Sequence, residues 1–194
     1  MKTQSLENIA KLADGELIGD FDLTTEINNV SIDTRTINPG DLYVPIIGEN
    51  LDGHDFMEEA FTKGAVASLV DKDHLDLFTH LNKPQILVED TLVGLQTMAK
   101  NYRDSLELTV IGITGSNGKT TTKDIIYSVL DQKMQAQKTI GNLNNEIGLP
   151  RTLLSLEEDT DVAILEMGME KFGDVSLLVK LARPQIAAIT NIGY

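Results

Sequence analysis

Lys119, Thr120 and Glu166 are the residues of this chain whose types and settings could act on a phosphate. Residues 112–120 read Gly-Ile-Thr-Gly-Ser-Asn-Gly-Lys-Thr, and Thr121 and Thr122 follow. A loop of this kind aims successive backbone N–H groups and the positive end of a helix dipole at an anion. Lys119 would neutralise β- and γ-phosphates, and the Thr120 hydroxyl would ligate a magnesium ion bridging the same oxygens. Gly115, Ser116, Asn117, Gly118 and Thr121 complete the cradle, so a nucleoside triphosphate is the expected ligand. The strict GxxxxGK[ST] pattern asks for glycine at position 113, where Ile113 stands. The spacing here is GxxGxxGKT, a variant of that pattern.

Downstream, residues 161–168 form an apolar run that ends in Glu166, Met167 and Gly168. A carboxylate at the carboxyl end of a strand beside a phosphate loop is placed to hold magnesium, because ligands collect at that edge of an open α/β sheet. The alternative is an ordinary solvated strand end. Asn142, Asn144 and Asn145 put three amides within four positions. Each offers donors and an acceptor to a ligand rich in phosphate, sugar and peptide groups. They could equally supply turns and a cap for a helix over residues 149–156, and the residues alone leave both readings open.

The elements that must position these groups are legible as periodicity. Residues 108–113 are apolar and β-branched, which suits a buried strand; Ile125, Ile126, Val129 and Leu130 recur at helical spacing over 124–133; residues 186–190 read as a third strand. Strands alternating with helices from position 107 onward predict a parallel sheet with right-handed crossovers. Before it, strands near Val30, over 42–47 and over 65–70, with helices near 5–12 and 55–63, predict a smaller α/β domain over residues 1–83. A strand at 85–88 and an amphipathic helix over 91–106, with Met98 and Tyr102 on its core face, form a connecting segment, 84–106. The expected fold is therefore α/β, a small amino-terminal domain followed by a phosphate-loop domain over 107–194.

In the first domain, Asn38-Pro39-Gly40-Asp41 is a turn that delivers the chain into a strand. Ser31, Thr34 and Arg35 offer hydroxyl and guanidinium donors, and arginine suits a planar, bidentate anion. Structural alternatives are strong here: Asp33 and Arg35 can pair with each other, and Asp52 can cap a helix starting near His54. His54 alone reads as a hydrogen-bonded structural residue, with His74 and His80 facing solvent and no zinc site expected.

The segments carrying these residues resemble the Mur ligases and their folylpolyglutamate synthetase relatives. TGSNGKTTT at 114–122 is similar to the family's ATP loop, and the likeness continues through 139–154, 182–193, 31–35, 39–44 and 48–56. The resemblance implies an ATP-dependent ligase of peptidoglycan precursor synthesis. The Asn142-to-Pro150 segment points to the branch that adds D-alanyl-D-alanine to UDP-N-acetylmuramoyl-tripeptide through an acyl phosphate. It also implies that Lys119 and Glu166 act in catalysis, that Thr120 and Glu166 hold Mg2+, and that Ser31, Thr34, Arg35, Gly48, Asp52, His54, Asn142, Asn144 and Asn145 bind the UDP-substrate. Asp174 departs from the family's more usual glutamate. Another ligase of the family, or a non-catalytic UDP-sugar or nucleotide-binding module, are the competing readings; turnover requiring both peptide substrates separates them. A full-length ligase of this kind would continue past residue 193, so a truncated chain, inactive alone, is expected.

Composition agrees without adding specificity. The 194 residues are 41% hydrophobic, enough to bury a core, and contain no cysteine. The first twelve residues are interrupted by Gln4, Glu7 and Asn8 and make no secretory segment, and no apolar run approaches a membrane span. A formal charge of −14 argues against nucleic acid and predicts that nucleotide binding depends strongly on magnesium. A cytoplasmic monomer is expected.

Overall fold

The computed structural model describes residues 2–19 and 21–193; Met1 and Tyr194, the ends of the first and last expected segments, lie outside them. The chain divides into two compact units, Met1–Asn101 and Tyr102–Tyr194.

The first unit opens with strand β1 (Gln4–Ser5) and helix α1 (Leu6–Leu12), whose N-terminus is capped by the Ser5 hydroxyl accepting from the Asn8 N–H. Strands β2 (Glu16–Ile18), β3 (Glu26–Ile27), β4 (Asn29–Ser31) and β5 (Asp41–Tyr43) follow, then helix α2 (Met57–Thr62), strand β6 (Ala67–Asp71), helix α3 (Leu75–Phe78), strand β7 (Gln85–Val88) and helix α4 (Thr91–Ser105), whose residues from Tyr102 on are counted in the second unit. Five strands form one sheet in the order β2-β7-β6-β5-β4, parallel except for β2 against β7, while β1 and β3 pair separately. Every residue of β6 is buried, as a central parallel strand covered on both faces requires. The strand expected to run to residue 47 stops at Tyr43, because Pro45 has no N–H to give a ladder and its carbonyl accepts from the Thr91 hydroxyl instead. The strand expected in a connecting segment, β7, is an interior strand of this sheet.

The second unit alternates strand and helix: β8 (Thr109–Thr114), α5 (Lys119–Leu130), β9 (Ala136–Lys138), α6 (Gly148–Leu154), β10 (Val162–Glu166), α7 (Asp174–Ala182) and β11 (Ile186–Ile189). The four strands are all parallel, in the order β11-β8-β10-β9. Ile111, Ile113, Val162 and Ile164 make one cluster of the core, against which Ile126, Tyr127 and Leu130 of α5 pack. The helix begins at Lys119, where the Gly-Lys-Thr run opens it, and its apolar set is split. Ile126 and Leu130 face the sheet, whereas Ile125 and Val129 are 59% and 64% exposed. Strand β9, Ala-Gln-Lys, carries no apolar signal of its own and exists by pairing with β10. Register sets the site: Glu166 at the end of β10 lies opposite Ile113 of β8, so the carboxylate sits beside the strand that feeds the glycine loop.

Candidate functional site

Two glycines make the phosphate-loop turn, and Gly112 is not one of them. Gly115 has φ +133° and Gly118 φ +81°, conformations that side chains disfavour, whereas Gly112 lies within β8 against Met167. A Cβ on Gly115 would also stand 2.2 Å from the Thr190 hydroxyl oxygen. The chain just after β11 laces this loop from outside. Ser116 N–H donates to the Asn191 carbonyl at 3.1 Å, Asn117 N–H to Asn191 Oδ1 at 2.8 Å, and the Thr190 hydroxyl to the Asn117 carbonyl at 2.5 Å. Gly118 then caps α5, whose first N–H groups have no intrahelical acceptor. Ser116, Asn117, Thr120 and Thr121 are solvent-accessible there, and Lys119 Nζ donates to the Gly115 carbonyl at 2.7 Å. An ammonium has three donors, so Lys119 can keep that carbonyl and still donate to a phosphate.

Glu166 is only 2% exposed and is held at each end. Thr120 Oγ1 donates to Oε2 at 3.0 Å, Asn144 Nδ2 donates to Oε1 at 3.0 Å, and the Glu166 N–H donates to Thr139 Oγ1 at 2.9 Å. The loop bearing Asn144 is fixed in turn, since Gly168 N–H donates to the Asn144 carbonyl at 2.7 Å. Lys123, 3% exposed, stands on the inner face of α5 with Nζ donating to the Thr139 carbonyl at 2.9 Å and lying 3.9 Å from Glu166 Oε2. The Thr120 hydroxyl and Glu166 carboxylate form an all-oxygen donor pair of the kind a hard divalent cation takes, at the mouth of the loop.

The three asparagines separate in role. Asn144 reaches Glu166; Asn145 Oδ1 accepts from the Gly148 N–H at 2.8 Å and serves the start of α6; Asn142 is exposed. Asn144, Asn145 and Gly168 line a pocket of about 110 Å³ with Lys171 and Leu177. Asp174 takes the N–H groups of Glu170 and Lys171 at 3.0 and 2.6 Å, closing the turn before α7.

In the first unit, Thr34, Arg35, Tyr43, Leu51 and Phe56 line an open cleft of about 580 Å³. Arg35 and Asp33 pair across three contacts of 2.6 to 3.1 Å. The side-chain and backbone donors of Arg35 hold the Asp33 carboxyl at a pKa of about 2. Burial, then the carboxylates Asp33, Glu59 and Asp52, push Tyr43 up to about 12, and its hydroxyl donates to the Gly53 carbonyl at 2.8 Å. Thr34 Oγ1 donates to Glu59 at 3.2 Å, and Gly48 N–H to the Leu51 carbonyl at 2.8 Å. Ser31 is buried, its hydroxyl donating to the Asp33 carbonyl at 3.0 Å.

Asp52 and His54 lie in a cluster the sequence did not reveal, and His74, expected to face solvent, belongs to it. The His54 and His74 rings stack with centroids 3.9 Å apart, wedged between Asp52 and Asp71. Asp52 meets His54 Nδ1 at 2.7 Å and His74 Nε2 at 3.0 Å; Asp71 meets His74 Nδ1 at 2.7 Å, and His54 Nε2 has no hydrogen bond, 3.8 Å from Asp71 Oδ2. Burial alone would lower the His74 pKa, but the hydrogen bond and charge of Asp71, with Asp52, outweigh it and raise it. Asp52 is likewise lowered, because its bonds from His54 and the two imidazole charges outweigh burial. Asp52, His54 and His74 bring ligand atoms within 4.8 Å, yet three of the four ring nitrogens already face carboxylates, and parallel rings do not converge on one ion.

Lys123, Thr139, Thr190 and Asn191 escaped the sequence reading. Lys123 could have been found: it lies three and four residues before Ile126 and Tyr127, on the face of α5 that meets the core.

The profile described as Mur ligase family, catalytic domain matches residues 26–103, and that described as Mur ligase middle domain matches residues 113–194. The UDP-N-acetylmuramoyl-tripeptide–D-alanyl-D-alanine ligase of Bacillus subtilis (strain 168) is 46% identical over 193 residues, covering 100% of this chain and 42% of that protein. Among solved structures, MurF from Acinetobacter baumannii superposes with a TM-score of 0.91 at 30% identity, over 100% of this chain and 42% of that one. MurF ligase from Thermotoga maritima in complex with ADP gives 0.76 at 34% identity, over 85% and 38%. The chain thus spans less than half the length of these relatives.

Proposed function

Because the chain belongs to the Mur ligase family, we propose that it serves the ATP-dependent addition of D-alanyl-D-alanine to UDP-N-acetylmuramoyl-tripeptide. The observation that carries this reading is the Glu166 carboxylate gripped by Thr120 of the phosphate-loop helix and by Asn144 of the asparagine loop. It ties a nucleotide site to a neighbouring loop suited to a sugar-peptide substrate. In the complete reaction, a substrate carboxylate oxygen takes the γ-phosphoryl of ATP, releasing ADP. The incoming amine then attacks the acyl phosphate, and an amide forms as phosphate leaves.

The residues divide that work. Loop N–H groups from Gly118 to Thr121 and the Lys119 ammonium bind and orient the triphosphate, stabilising charge that builds on the transferred group, while the Ser116 and Asn117 N–H groups are held by Asn191. Thr120 and Glu166 would hold Mg2+, directly or through water. When bound, the ion neutralises phosphate oxygens and fixes the transferred group in line. Asn142, Asn144 and Asn145 face the sugar-peptide part, with Asn145 also shaping the loop. In the first unit, Thr34 and Arg35 on the cleft wall meet the UDP end, while Ser31, Gly48, Asp52 and His54 hold the cleft's shape. The setting proposed is a cytoplasmic, monomeric enzyme of peptidoglycan synthesis, and so of cell shape and division. Among the described residues, no helix is long and apolar enough to cross a membrane.

Calorimetry tests this reading, titrating the chain with Mg·ATP and separately with UDP-N-acetylmuramoyl-tripeptide and UDP-N-acetylmuramic acid. Saturable binding of Mg·ATP, and of the UDP ligand with a gain from the peptide, is expected. A folded chain that binds no UDP ligand would remove the assignment of the first-unit cleft.

A further inference from the structure

Lys123 is a buried cation that neither phosphate binding nor core packing uses. Its side chain is 4% exposed and Glu166's is 3%, with 3.9 Å between Nζ and Oε2. The other groups on this carboxylate, Thr120 and Asn144, are neutral donors, and a buried carboxylate without a compensating charge is strongly disfavoured. Lys123 is held in place. Its Nζ is anchored to the Thr139 carbonyl at 2.9 Å, and Thr139 is itself fixed by its N–H to the Ile164 carbonyl at 3.1 Å and by the Glu166 N–H at its hydroxyl. Asp124 lies 3.7 Å from the same Nζ, but it is half-exposed and bonded to Lys138 at 2.7 Å. The fixed positive charge beside Glu166 is therefore Lys123.

We propose that Lys123 is a positioning residue that keeps Glu166 charge-balanced until nucleotide arrives, so that a divalent cation binds with the nucleotide's phosphates and not ahead of them. This rests on the nucleotide and magnesium reading above. A cation approaching Glu166 alone meets a carboxylate already compensated and a neighbouring ammonium that repels it. Triphosphate oxygens add negative charge at the same place and reverse that balance, which makes metal and nucleotide binding cooperative and, by linkage, reciprocally so.

The test is Mn2+ binding to the chain by electron paramagnetic resonance, with and without ATP, in wild type, Lys123→Met and Lys123→Met/Glu166→Gln. Without nucleotide, Lys123→Met should bind Mn2+ about tenfold or more tighter than wild type, as loss of a charge at this distance implies. Its gain in Mn2+ affinity on adding ATP should shrink in proportion. The double variant should lose the gained site, because Glu166 supplies it. Mere damage to the fold would not tighten metal binding, so unchanged or weaker Mn2+ affinity in Lys123→Met overturns the proposal. Should Lys123→Met be too unstable to titrate, its thermal melt decides: Mn2+ without ATP should restore stability to Lys123→Met and not to the double variant, and no restoration overturns the proposal. A wild-type chain that binds no Mg·ATP counts instead against the nucleotide reading, which these metal-only measurements leave separate.

Discussion

Thr120 and Glu166, 46 positions apart, meet side chain to side chain at 3.0 Å, hydroxyl to carboxylate. That contact joins the first turn of α5 to the end of β10 and follows from register, since β10 pairs directly with β8 and ends opposite Ile113, one residue before β8 does. A phosphate loop and an acidic strand end are common apart. Together they place a hydroxyl and a carboxylate oxygen where one divalent cation can take both.

Thr120→Val should therefore remove the magnesium-dependent part of ATP affinity while leaving metal-free ATP binding near wild type. The expected loss is about tenfold or more, the scale of one charge-assisted ligand or hydrogen bond. Titrating ATP with and without Mg2+ checks it, and an equal loss in both conditions would assign Thr120 to phosphate binding alone.

Gly115 and Gly118 both have positive φ, but only Gly115 is crowded. A Cβ there would meet Thr190 Oγ1 at 2.2 Å and the Asn191 carbonyl oxygen at 2.8 Å, whereas at Gly118 the nearest atom is Thr190 Cβ at 3.9 Å. Gly118→Ala should cost about 1 kcal/mol, the backbone penalty alone. Gly115→Ala should cost about 2–4 kcal/mol, because the lacing of the loop by residues 190 and 191 must also open. Urea unfolding of the two variants ranks them, and a smaller loss at Gly115 would mean that this lacing is easily displaced.

Much of this architecture is legible in the sequence because it rests on local signals. The β8 run, the Gly-Lys-Thr helix start and the acidic end of β10 each carry their own pattern of burial or turn chemistry. What escaped depends on residues far apart in the chain. β9 is polar and is a strand only through β10; the extent of β5 is decided by Pro45 and its bond to Thr91. His74 reads as a solvated histidine, and the spacing of Lys123 puts it on the core face of its helix without showing what it meets there. The partner of Lys123 on β10 and the Asp52 partner of His74 before α2 are far from them in sequence, although Asp71 is only three residues from His74.

Tyr43→Phe probes the floor of the first-unit cleft. The hydroxyl of this fully buried tyrosine donates to the Gly53 carbonyl at 2.8 Å. Its loss should destabilise the first unit by about 1 kcal/mol, a typical net hydrogen-bond contribution, without opening a cavity. Differential scanning calorimetry reads the change; a loss of several kcal/mol would indicate that this bond holds the 53–56 turn against the sheet.

His74, stacked on His54, makes the first unit's stability fall on the alkaline side. His74 has a folded pKa raised above its ordinary value of about 6.5, so its contribution is fully present below that pH and is lost as the pH rises through the folded value. Asp52, lowered in the folded state, acts in the opposite sense: its contribution is present above the ordinary carboxylate range and is lost as the pH falls through the folded value. Between the two, both carboxylates face the protonated imidazole and the cluster is at its strongest. Urea unfolding between pH 5.5 and 9 should show stability declining as His74 loses its proton, and His74→Gln should flatten that decline. Stability that instead rises over this interval would mean the imidazole is held neutral, with Asp52 and Asp71 acting on it only as hydrogen-bond acceptors.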